Sequence, residues 1–386
     1  MHAPGNAGGV RPAGVHPSRS VEEAELATAR GLGAVPKEFR CGYEHWLASN
    51  MLEFTSEAYA TTLYDEDNNP VNLPGYRADA CTDAAIRYVA EQHALQQAAA
   101  AAGGVAKPFF LFISFIEPHH QNRTDDYPSP TGYQEVAQRN LWMPPDLAEL
   151  EGTANQQLAG YYGMVKRLDE CLGRLQDALH SLDGMQQNTI LIQTCDHGCH
   201  FKTRNGEYKR SCHESSIRIP TAICGGAFEG GGRLSHPITL LDFAPSLLDA
   251  CSIPVPEAME GRSILPLMAP RRHGDAPLDW PTEALVQISE AQIGRAVRTH
   301  RWKYGIDAPA SMREHYLEPT GIGSMRYEEQ YLYDLQTVST RHRCATAVLP
   351  SLQDLERKKA DTRTYTALLL WLRAGPLRAE KSCCVA

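Results

Sequence analysis

An aspartate and a histidine at adjacent positions, Asp196 and His197, directly follow an apolar run at residues 189–194. Such a run predicts a buried β-strand, and the carboxyl ends of strands are where open α/β sheets bind their ligands. Carboxylate oxygens and imidazole nitrogens are common metal ligands. The pair therefore indicates a site where a metal ion assists a reaction on an anion.

The loop after this pair concentrates positive charge in a chain that is otherwise acidic. The 386 residues carry a formal net charge of -9, and the pI is near 5.9. This charge argues against nonspecific binding to nucleic acid or to an anionic membrane, which needs a basic face. We interpret the cations of the loop as a local field for an anionic substrate, and the alternative is a solvated basic loop. These cations are Lys202, Arg204, Lys209 and Arg210.

Apolar runs and helical patterns alternate along the middle of the chain. Residues 107–115, 188–194 and 219–224 predict buried strands, and residues 79–101 predict a helix. Strands that alternate with helices predict an α/β fold with a mostly parallel sheet between helical layers. A second helix is predicted beyond residue 161, because apolar residues recur there at helical spacing: Val165, Leu168, Leu172, Leu175, Leu179 and Leu182.

The ends of the chain differ in texture from this middle part. The N-terminus shows no secretory signal and no apolar run is long enough to cross a membrane, so the chain as written is expected in the cytoplasm. The last four residues, from Cys383 onward, fit a prenylation pattern, which leaves a membrane anchor open. We predict an irregular leader at residues 1–40, an α/β domain at 41–272, an antiparallel subdomain at 273–340 and a helical tail at 341–386.

Several segments resemble, in the same order along the chain, the sulfatase family of the alkaline phosphatase superfamily. The resemblance covers more than half of the chain and implies an alkaline phosphatase-like fold. In that fold a mostly parallel sheet is sandwiched by helices, with a small C-terminal antiparallel subdomain. The segments that carry it are Phe112-Ile113-Ser114-Phe115-Ile116-Glu117-Pro118-His119, Tyr161-Tyr162-Gly163-Met164-Val165-Lys166-Arg167-Leu168-Asp169, Asp196-His197-Gly198, Tyr208-Lys209-Arg210 and Leu241-Asp242-Phe243-Ala244-Pro245-Ser246-Leu247-Leu248.

The resemblance also implies hydrolysis of a sulfate ester with the help of one divalent cation, expected to be Ca2+. Asp196 and His197 match two of the family's metal ligands. Lys209 matches the lysine that holds the sulfate group, and His119 matches the histidine that contacts the sulfate and protonates the leaving group. The catalytic and substrate-binding candidates are therefore His119 and Lys209. The implied partner is a small sulfate ester or a sulfated glycan.

Two parts of the family's active site have no counterpart in this sequence. Members of the family begin with a strand that ends in paired aspartates, followed by Cys-x-Pro-Ser-Arg, whose cysteine becomes the formylglycine nucleophile. The nearest segment, Val15-His16-Pro17-Ser18-Arg19, has a valine in that place, and a second alignment leaves Gly14 where a sulfate-contacting lysine belongs. We therefore expect an N-terminally truncated sulfatase with impaired activity. The alternatives are a catalytically inactive binding or scaffold protein and a phosphonate or phosphate monoester hydrolase.

Thiols and imidazoles around Asp196 leave a zinc site as a rival interpretation of the same loop. Thiolate and imidazole are the usual ligands of zinc. Their spacing fits no standard zinc motif, and Cys195 would face the sheet core if Asp196 faces the site. The sequence favours the oxygen-ligated cation. The side chains available to zinc are Cys195, His197, Cys199, His200, Cys212 and His213.

Overall fold

The computed structural model describes residues 33–121, 123–268, 279–289, 291–309, 324 and 326–336. The predicted helical tail, the prenylation pattern at Cys383, the segment from Gly14 to Arg19 and most of the predicted leader lie outside the described residues.

Two of the described helices are long, and the other elements are short. The α-helices are α1 (Leu52–Thr55), α2 (Arg77–Ala101), α3 (Tyr133–Arg139), α4 (Pro145–Ala148), α5 (Ala154–Ser181), α6 (Glu214–Ile217), α7 (Phe243–Ala250) and α8 (Leu265–Met268). The strands are β1 (Thr61–Tyr64), β2 (Pro70–Leu73), β3 (Leu191–Gln193), β4 (Ala222–Cys224), β5 (Glu283–Ile288), β6 (Gly294–Thr299), β7 (Trp302–Asp307) and β8 (Glu328–Asp334). Single 3-10 turns occur at Lys37–Phe39, Gln186–Asn188, Gly226–Phe228 and Leu240–Asp242.

These elements belong to two compact units. The first unit takes its residues from Met1–Leu141 and Leu158–Met185, and the second from Trp142–Gln157 and Gln186–Ser382. The domain boundaries expected from the sequence remain predictions. Among the described helices, none combines the length and the apolar composition that crossing a bilayer requires.

The two long helices confirm the helical predictions and supply the core of the first unit. α2 is rich in alanine, the residue with the highest helix propensity, and ends just before Gly103, which adopts a left-handed φ of 71°. α5 buries part of the predicted leucine stripe, including Leu175 and Leu179. Val89 of α2 packs with Leu179 and Met185 in one core cluster. Each helix thus turns an apolar face toward the same core.

The predicted strand at residues 107–115 joins no strand ladder among the described residues. Phe109 and Leu111 pack against the core cluster, whereas Phe110 is 59% exposed and Phe112 is 55% exposed. Alternate side chains of an extended segment point to opposite faces, so described residues cover only one face here. The apolar composition of both faces predicted burial on both sides. Composition alone does not specify whether a second layer covers the segment.

The second unit contains a short strand pair and a four-stranded sheet. β3 pairs with β4, with Leu191 opposite Cys224. The four-stranded sheet has the order β5-β6-β7-β8 and is antiparallel throughout, which confirms the small antiparallel C-terminal subdomain that was expected. Its core cluster consists of Val297, Tyr304, Ile306 and Leu332.

Every strand pair in the described part of the chain is antiparallel, including β1 with β2 in the first unit. The mostly parallel sheet expected from the sequence is therefore not formed by these strands. A parallel sheet is normally buried on both faces, whereas the residues that the structure describes cover the segment at residues 107–115 on one face only. Periodicity predicts a strand but not the direction of its neighbour, which depends on contacts distant in sequence.

Candidate functional site

Asp196 and His197 lie directly after β3, where the sequence predicted them. Asp196 Oδ1 accepts the backbone N–H of His197 at 2.8 Å, and Asp196 Oδ2 lies 3.3 Å from His197 Nε2. His197 Nδ1 lies 2.9 Å from the carbonyl oxygen of Gly198, an acceptor, which favours a proton on Nδ1. In the neutral ring, the lone pair of Nε2 then faces a carboxylate. Two acceptor atoms this close are the arrangement that a shared cation stabilises.

The charge state of His197 suits metal binding. Burial lowers the pKa of His197; Asp196 opposes this shift, and the cations Lys209 and Arg210 lower the pKa further. The imidazole is therefore neutral at neutral pH, which is the form that binds metal ions. Lys209 thus acts electrostatically on the His197 ring, within the same unit of the chain. The Asp196 side chain is 82% exposed, so the region is open to a ligand.

The loop between β3 and α6 is fixed by its own backbone. The N–H of His200 donates to the carbonyl of Tyr208 at 2.7 Å, and the N–H of Gly198 donates to the carbonyl of Ser216 at 2.7 Å. A Cβ atom at position 198 would overlap the carbonyl oxygen of Ser215, so this close approach requires glycine. These bonds hold the segment with the cations close to the end of β3.

Two further histidines of this region are buried and neutral. The His200 side chain is fully buried, and neither of its ring nitrogens has a hydrogen-bond partner among the described residues. Burial, together with the positive charge of Arg204, lowers the pKa of His200 to about 4 and that of His213 to about 3. His213 Nε2 lies 3.1 Å from the hydroxyl of Tyr333. These imidazoles support the loop from within.

The described residues give no support to the zinc alternative. In the part of the chain that the structure covers, no three His, Cys, Asp or Glu side chains are arranged to hold a metal ion. Burial raises the pKa of Cys212 to about 12 and also raises the pKa of Cys195, which disfavours the thiolate form that zinc binds. Asp196 and His197 are two candidate ligands, fewer than the roughly six to eight oxygen ligands that Ca2+ takes.

A charged cluster joins the site loop to the C-terminal sheet of the same unit. Glu214, the first residue of α6, accepts hydrogen bonds from Lys303 Nζ at 3.1 Å and from Arg298 Nη2 at 3.4 Å. Burial opposes ionisation of Glu214, but Lys303 and Arg298 outweigh it and lower the pKa of this carboxyl. The side chain of Lys303 is only 2% exposed, so the pair is fixed in a largely dry environment. β6 and β7 therefore hold the end of the loop in place.

His119 belongs to the first unit, where it follows the extended segment and Pro118. Its Nδ1 donates to the carbonyl of His120 at 2.7 Å and lies 3.6 Å from Glu53 Oε2. The side chains of His119 and Glu53 are 17% and 12% exposed, so both are largely buried. The convergence of His119 with Asp196, His197 and Lys209 on one ligand remains a prediction.

A buried ion pair fixes the chain just before His119. Arg77, the first residue of α2, donates from Nε and Nη2 to Glu117 Oε1, with both distances 3.0 Å. Arg77 Nη1 also donates to Ser56 Oγ at 3.0 Å. The side chains of Arg77 and Glu117 are 1% and 0% exposed. The loop with His119 is thus tied to the start of a long helix and to the end of α1.

The partners that position these side chains are distant in sequence and were not predicted. Arg77 and Glu117 are 40 positions apart, and Glu214 and Lys303 are 89 positions apart. Periodicity reaches only a few residues, so it cannot link such pairs. The signal that could have found them is a charged residue inside an apolar segment, such as Lys303 between Trp302 and Tyr304.

Known proteins resemble this chain over much of its length. Residues 40–253, more than half of the chain, match the sulfatase family, and residues 206–337 match the C-terminal region of N-sulphoglucosamine sulphohydrolase. An ulvan-active sulfatase of Formosa agariphila is 27% identical over 303 residues, which cover 74% of this chain and 54% of that protein. Arylsulfatase K of Gallus gallus is 28% identical over 328 residues, which cover 71% and 58%. The chain spans just over half the length of these two curated relatives.

Solved structures share the fold. A structure from Bacteroides fragilis described as a sulfatase has a TM-score of 0.63 at 19% identity, covering 89% of this chain and 68% of that chain. A protein solved in complex with its substrate, D-glucosamine-2-N,6-O-disulfate, has a TM-score of 0.53 at 17% identity, covering 88% and 76%. These likenesses confirm the predicted α/β fold of the alkaline phosphatase type. Together with the sequence matches, they establish that the chain belongs to the sulfatase family.

Proposed function

We propose that the protein is a sulfuric ester hydrolase of the arylsulfatase type, which converts a sulfate ester and water into an alcohol and sulfate. Lys209 would hold the sulfate group, and His119 would protonate the leaving oxygen. The observation that carries the proposal is the neutral imidazole of His197 beside the exposed carboxylate of Asp196, within the field of Lys209. This combination suits a cation and an anion bound side by side.

Asp196 and His197 are proposed to hold the divalent cation, with Ca2+ as the expected ion. Asp196 Oδ2 and His197 Nε2 lie 3.3 Å apart. Because burial lowers the pKa of His197, Nε2 carries no proton at neutral pH and is available to a cation. A bound Ca2+ would neutralise charge on the sulfuryl oxygens. The remaining oxygen ligands would come from groups other than this pair.

A sulfated sugar is the proposed substrate class. The second structural neighbour was solved with a disulfated glucosamine as its substrate. Cations cluster on the loop after His197 although the whole chain carries a net charge of -9. A localised positive field in an acidic protein selects an anion that fits the site over anions in general.

Impaired turnover is part of the proposal. None of the 11 cysteines in the sequence is followed by the x-Pro-Ser-Arg that family members use to generate formylglycine. Removing the nucleophile from a group of residues that act together abolishes most of the rate enhancement. A protein that binds sulfated ligands without turnover is therefore the second candidate function.

Ligand binding tests the proposed site directly. We expect Lys209→Ala to weaken the binding of glucosamine 6-sulfate about 10- to 100-fold in isothermal titration calorimetry with Ca2+ present, because one charge-assisted contact is lost. Lys166→Ala, which removes a side chain that is 61% exposed on α5, is the matched control and should leave the affinity unchanged. Equal affinity of wild type and Lys209→Ala would remove Lys209 from the site.

Metal binding and turnover are tested separately. Asp196→Asn should abolish Ca2+ binding measured by calorimetry without a sulfated ligand. In an assay with p-nitrophenyl sulfate, Ca2+ and a formylglycine-generating enzyme, we expect no turnover by residues 1–386, and turnover would contradict the proposed impairment. Turnover of p-nitrophenyl phosphate instead would favour a phosphate ester hydrolase.

A further inference from the structure

The carboxylate of Glu53 lies beside the ring of His119 in the first unit. Glu53 Oε2 is 3.6 Å from His119 Nδ1, and the same nitrogen donates to the carbonyl of His120 at 2.7 Å. The two side chains are 12% and 17% exposed. An acidic and a basic side chain, both mostly removed from water, interact more strongly than a surface pair.

Three contacts hold α1, the helix that carries Glu53, against the loop that carries His119. The first is the approach of the Glu53 carboxylate to the ring. The second is the hydrogen bond from Gln121 Nε2 to the backbone carbonyl of Glu53 at 3.2 Å. The third runs from Ser56 through Arg77 to Glu117, with each hydrogen bond 3.0 Å long. The carboxylate therefore reaches the ring from a fixed backbone.

Both groups at the Nδ1 edge of His119 are hydrogen-bond acceptors. A carbonyl oxygen accepts only, and an ionised carboxylate accepts only, so the ring carries its first proton on Nδ1. The second proton of the imidazolium form is then on Nε2. A negative charge beside Nδ1 favours that charged form of the ring.

The other charged side chains of this loop interact with different groups. Glu117 pairs with Arg77, and Arg123 pairs with Glu57. Asp125 Oδ1 lies 2.7 Å from His120 Nε2. The approach of Glu53 Oε2 to 3.6 Å from His119 Nδ1 places this carboxylate to act on the ring.

We propose that Glu53 is the positioning residue of His119: its carboxylate orients the ring through the Nδ1 edge and stabilises the imidazolium. This role rests on the proposed function of His119 as the acid. When the S–O bond of the ester breaks, its electron pair stays on the ester oxygen. That oxygen takes the proton from Nε2, and the ring returns to the neutral form protonated on Nδ1. Over the whole hydrolysis, water supplies the hydroxyl that sulfur gains, and the remaining proton of that water restores the imidazolium.

An NMR titration of the full chain tests this role without any sulfated ligand, so its result does not depend on sulfatase activity. Carbon-13 labelled histidine gives a ring signal for each imidazole, and His119→Gln identifies the signal of His119. We expect Glu53→Gln to move the titration midpoint of His119 to lower pH by about one pH unit, because an opposite charge close to the ring is removed. Glu53→Asp keeps the charge and should restore most of the midpoint.

Glu66→Gln is the matched control, because Glu66 lies 2.6 Å from a different ring, His45, in the same unit. It should leave the His119 midpoint unchanged. An unchanged midpoint in Glu53→Gln, with the other histidine signals in place, would overturn the proposal. If Glu53→Gln does not fold, the pairing is tested in the wild type by following the chemical shift of the Glu53 carboxyl carbon with pH. An inflection at the titration midpoint of His119 supports the pairing, and the absence of this inflection contradicts it. Sulfate added afterwards perturbs the His119 signal only if the proposed function also holds.

Discussion

The side chain of His200 couples the protein's stability to pH. It is fully buried, and burial lowers its pKa to about 4. A histidine in the unfolded chain has a pKa of about 6.5, so between these values the unfolded state binds a proton that the folded state does not. The stability contributed by the neutral ring is therefore complete above about pH 6.5 and is lost as the pH falls toward 4.

Replacing this ring should flatten the acid sensitivity of folding. From His200 alone, we expect the free energy of unfolding of the wild type to fall by about 2 kcal/mol between pH 7 and pH 5, and His200→Leu should lose that part of the decline. Urea unfolding at pH 7, 6 and 5 measures both. His300→Leu, at an exposed turn after β6, should keep the slope of the wild type. Parallel pH profiles for all three proteins would contradict the prediction.

Individual residues were predictable where the chain itself places them together. Asp196 and His197 are adjacent, and Lys209 follows in the same loop, so one local pattern indicates all three as candidates, and their role as a site remains a prediction. Glu53 was not predictable beside His119, because that contact depends on how α1 packs against a distant loop. Its position has no distinctive local sequence pattern.

Among the elements, the extended segment at residues 107–115 shows that apolar composition alone does not determine which side chains are buried. Leu111 packs against the core cluster, and Phe112 is 55% exposed, although both are large apolar residues in one run. We expect Leu111→Ala to lower the free energy of unfolding by about 2 kcal/mol or more, and Phe112→Ala to change it by less than about 1 kcal/mol. Urea unfolding of the two variants measures the difference. A larger loss from Phe112→Ala would show that this face is covered in solution.

The start of α2 depends on its buried ion pair with the loop before His119. Arg77→Met leaves the carboxylate of Glu117 buried without its cation, and we expect a loss of about 3–5 kcal/mol in the free energy of unfolding. The double variant Arg77→Met/Glu117→Leu should recover much of this loss, since neither charge remains. Lys37→Met, which breaks an exposed pair with Asp67, should cost less than about 1 kcal/mol. Equal losses for the two single variants would argue against a desolvated pair.

Among the elements, the two long helices were predictable from the sequence, whereas the pairing of the strands was not. α2 and α5 were predictable because helical periodicity is a local property and both helices bury the predicted face. β3 and β4 were located approximately, but their antiparallel pairing was not predicted. The two strands are connected through the whole site loop, and no local pattern specifies how such a connection returns.

At the scale of the whole molecule, the negative net charge is expected to prevent nonspecific binding of large polyanions, whereas a small anion could still bind at one basic loop. The chain carries a charge of -9, and Lys202, Arg204, Lys209 and Arg210 lie together in the loop after His197. We expect no measurable binding of random-sequence duplex DNA at 0.15 M salt in fluorescence anisotropy, because repulsion by the rest of the surface exceeds the attraction of a single loop. Binding of this DNA with a Kd in the micromolar range would contradict this expectation. A sulfated monosaccharide is small enough to avoid the repulsion.

Lys303 and Arg298, which lie on the C-terminal strands, donate hydrogen bonds to Glu214 and so fix the end of the site loop. A recombinant fragment that ends at residue 272, the expected domain limit, would lack Lys303 and Arg298, the two cations that pair with Glu214. The loop would then lose its anchor although every candidate ligand-binding side chain is retained. If the proposed function holds, we expect substitutions in these strands to weaken sulfate binding although they change none of the candidate ligand-binding residues.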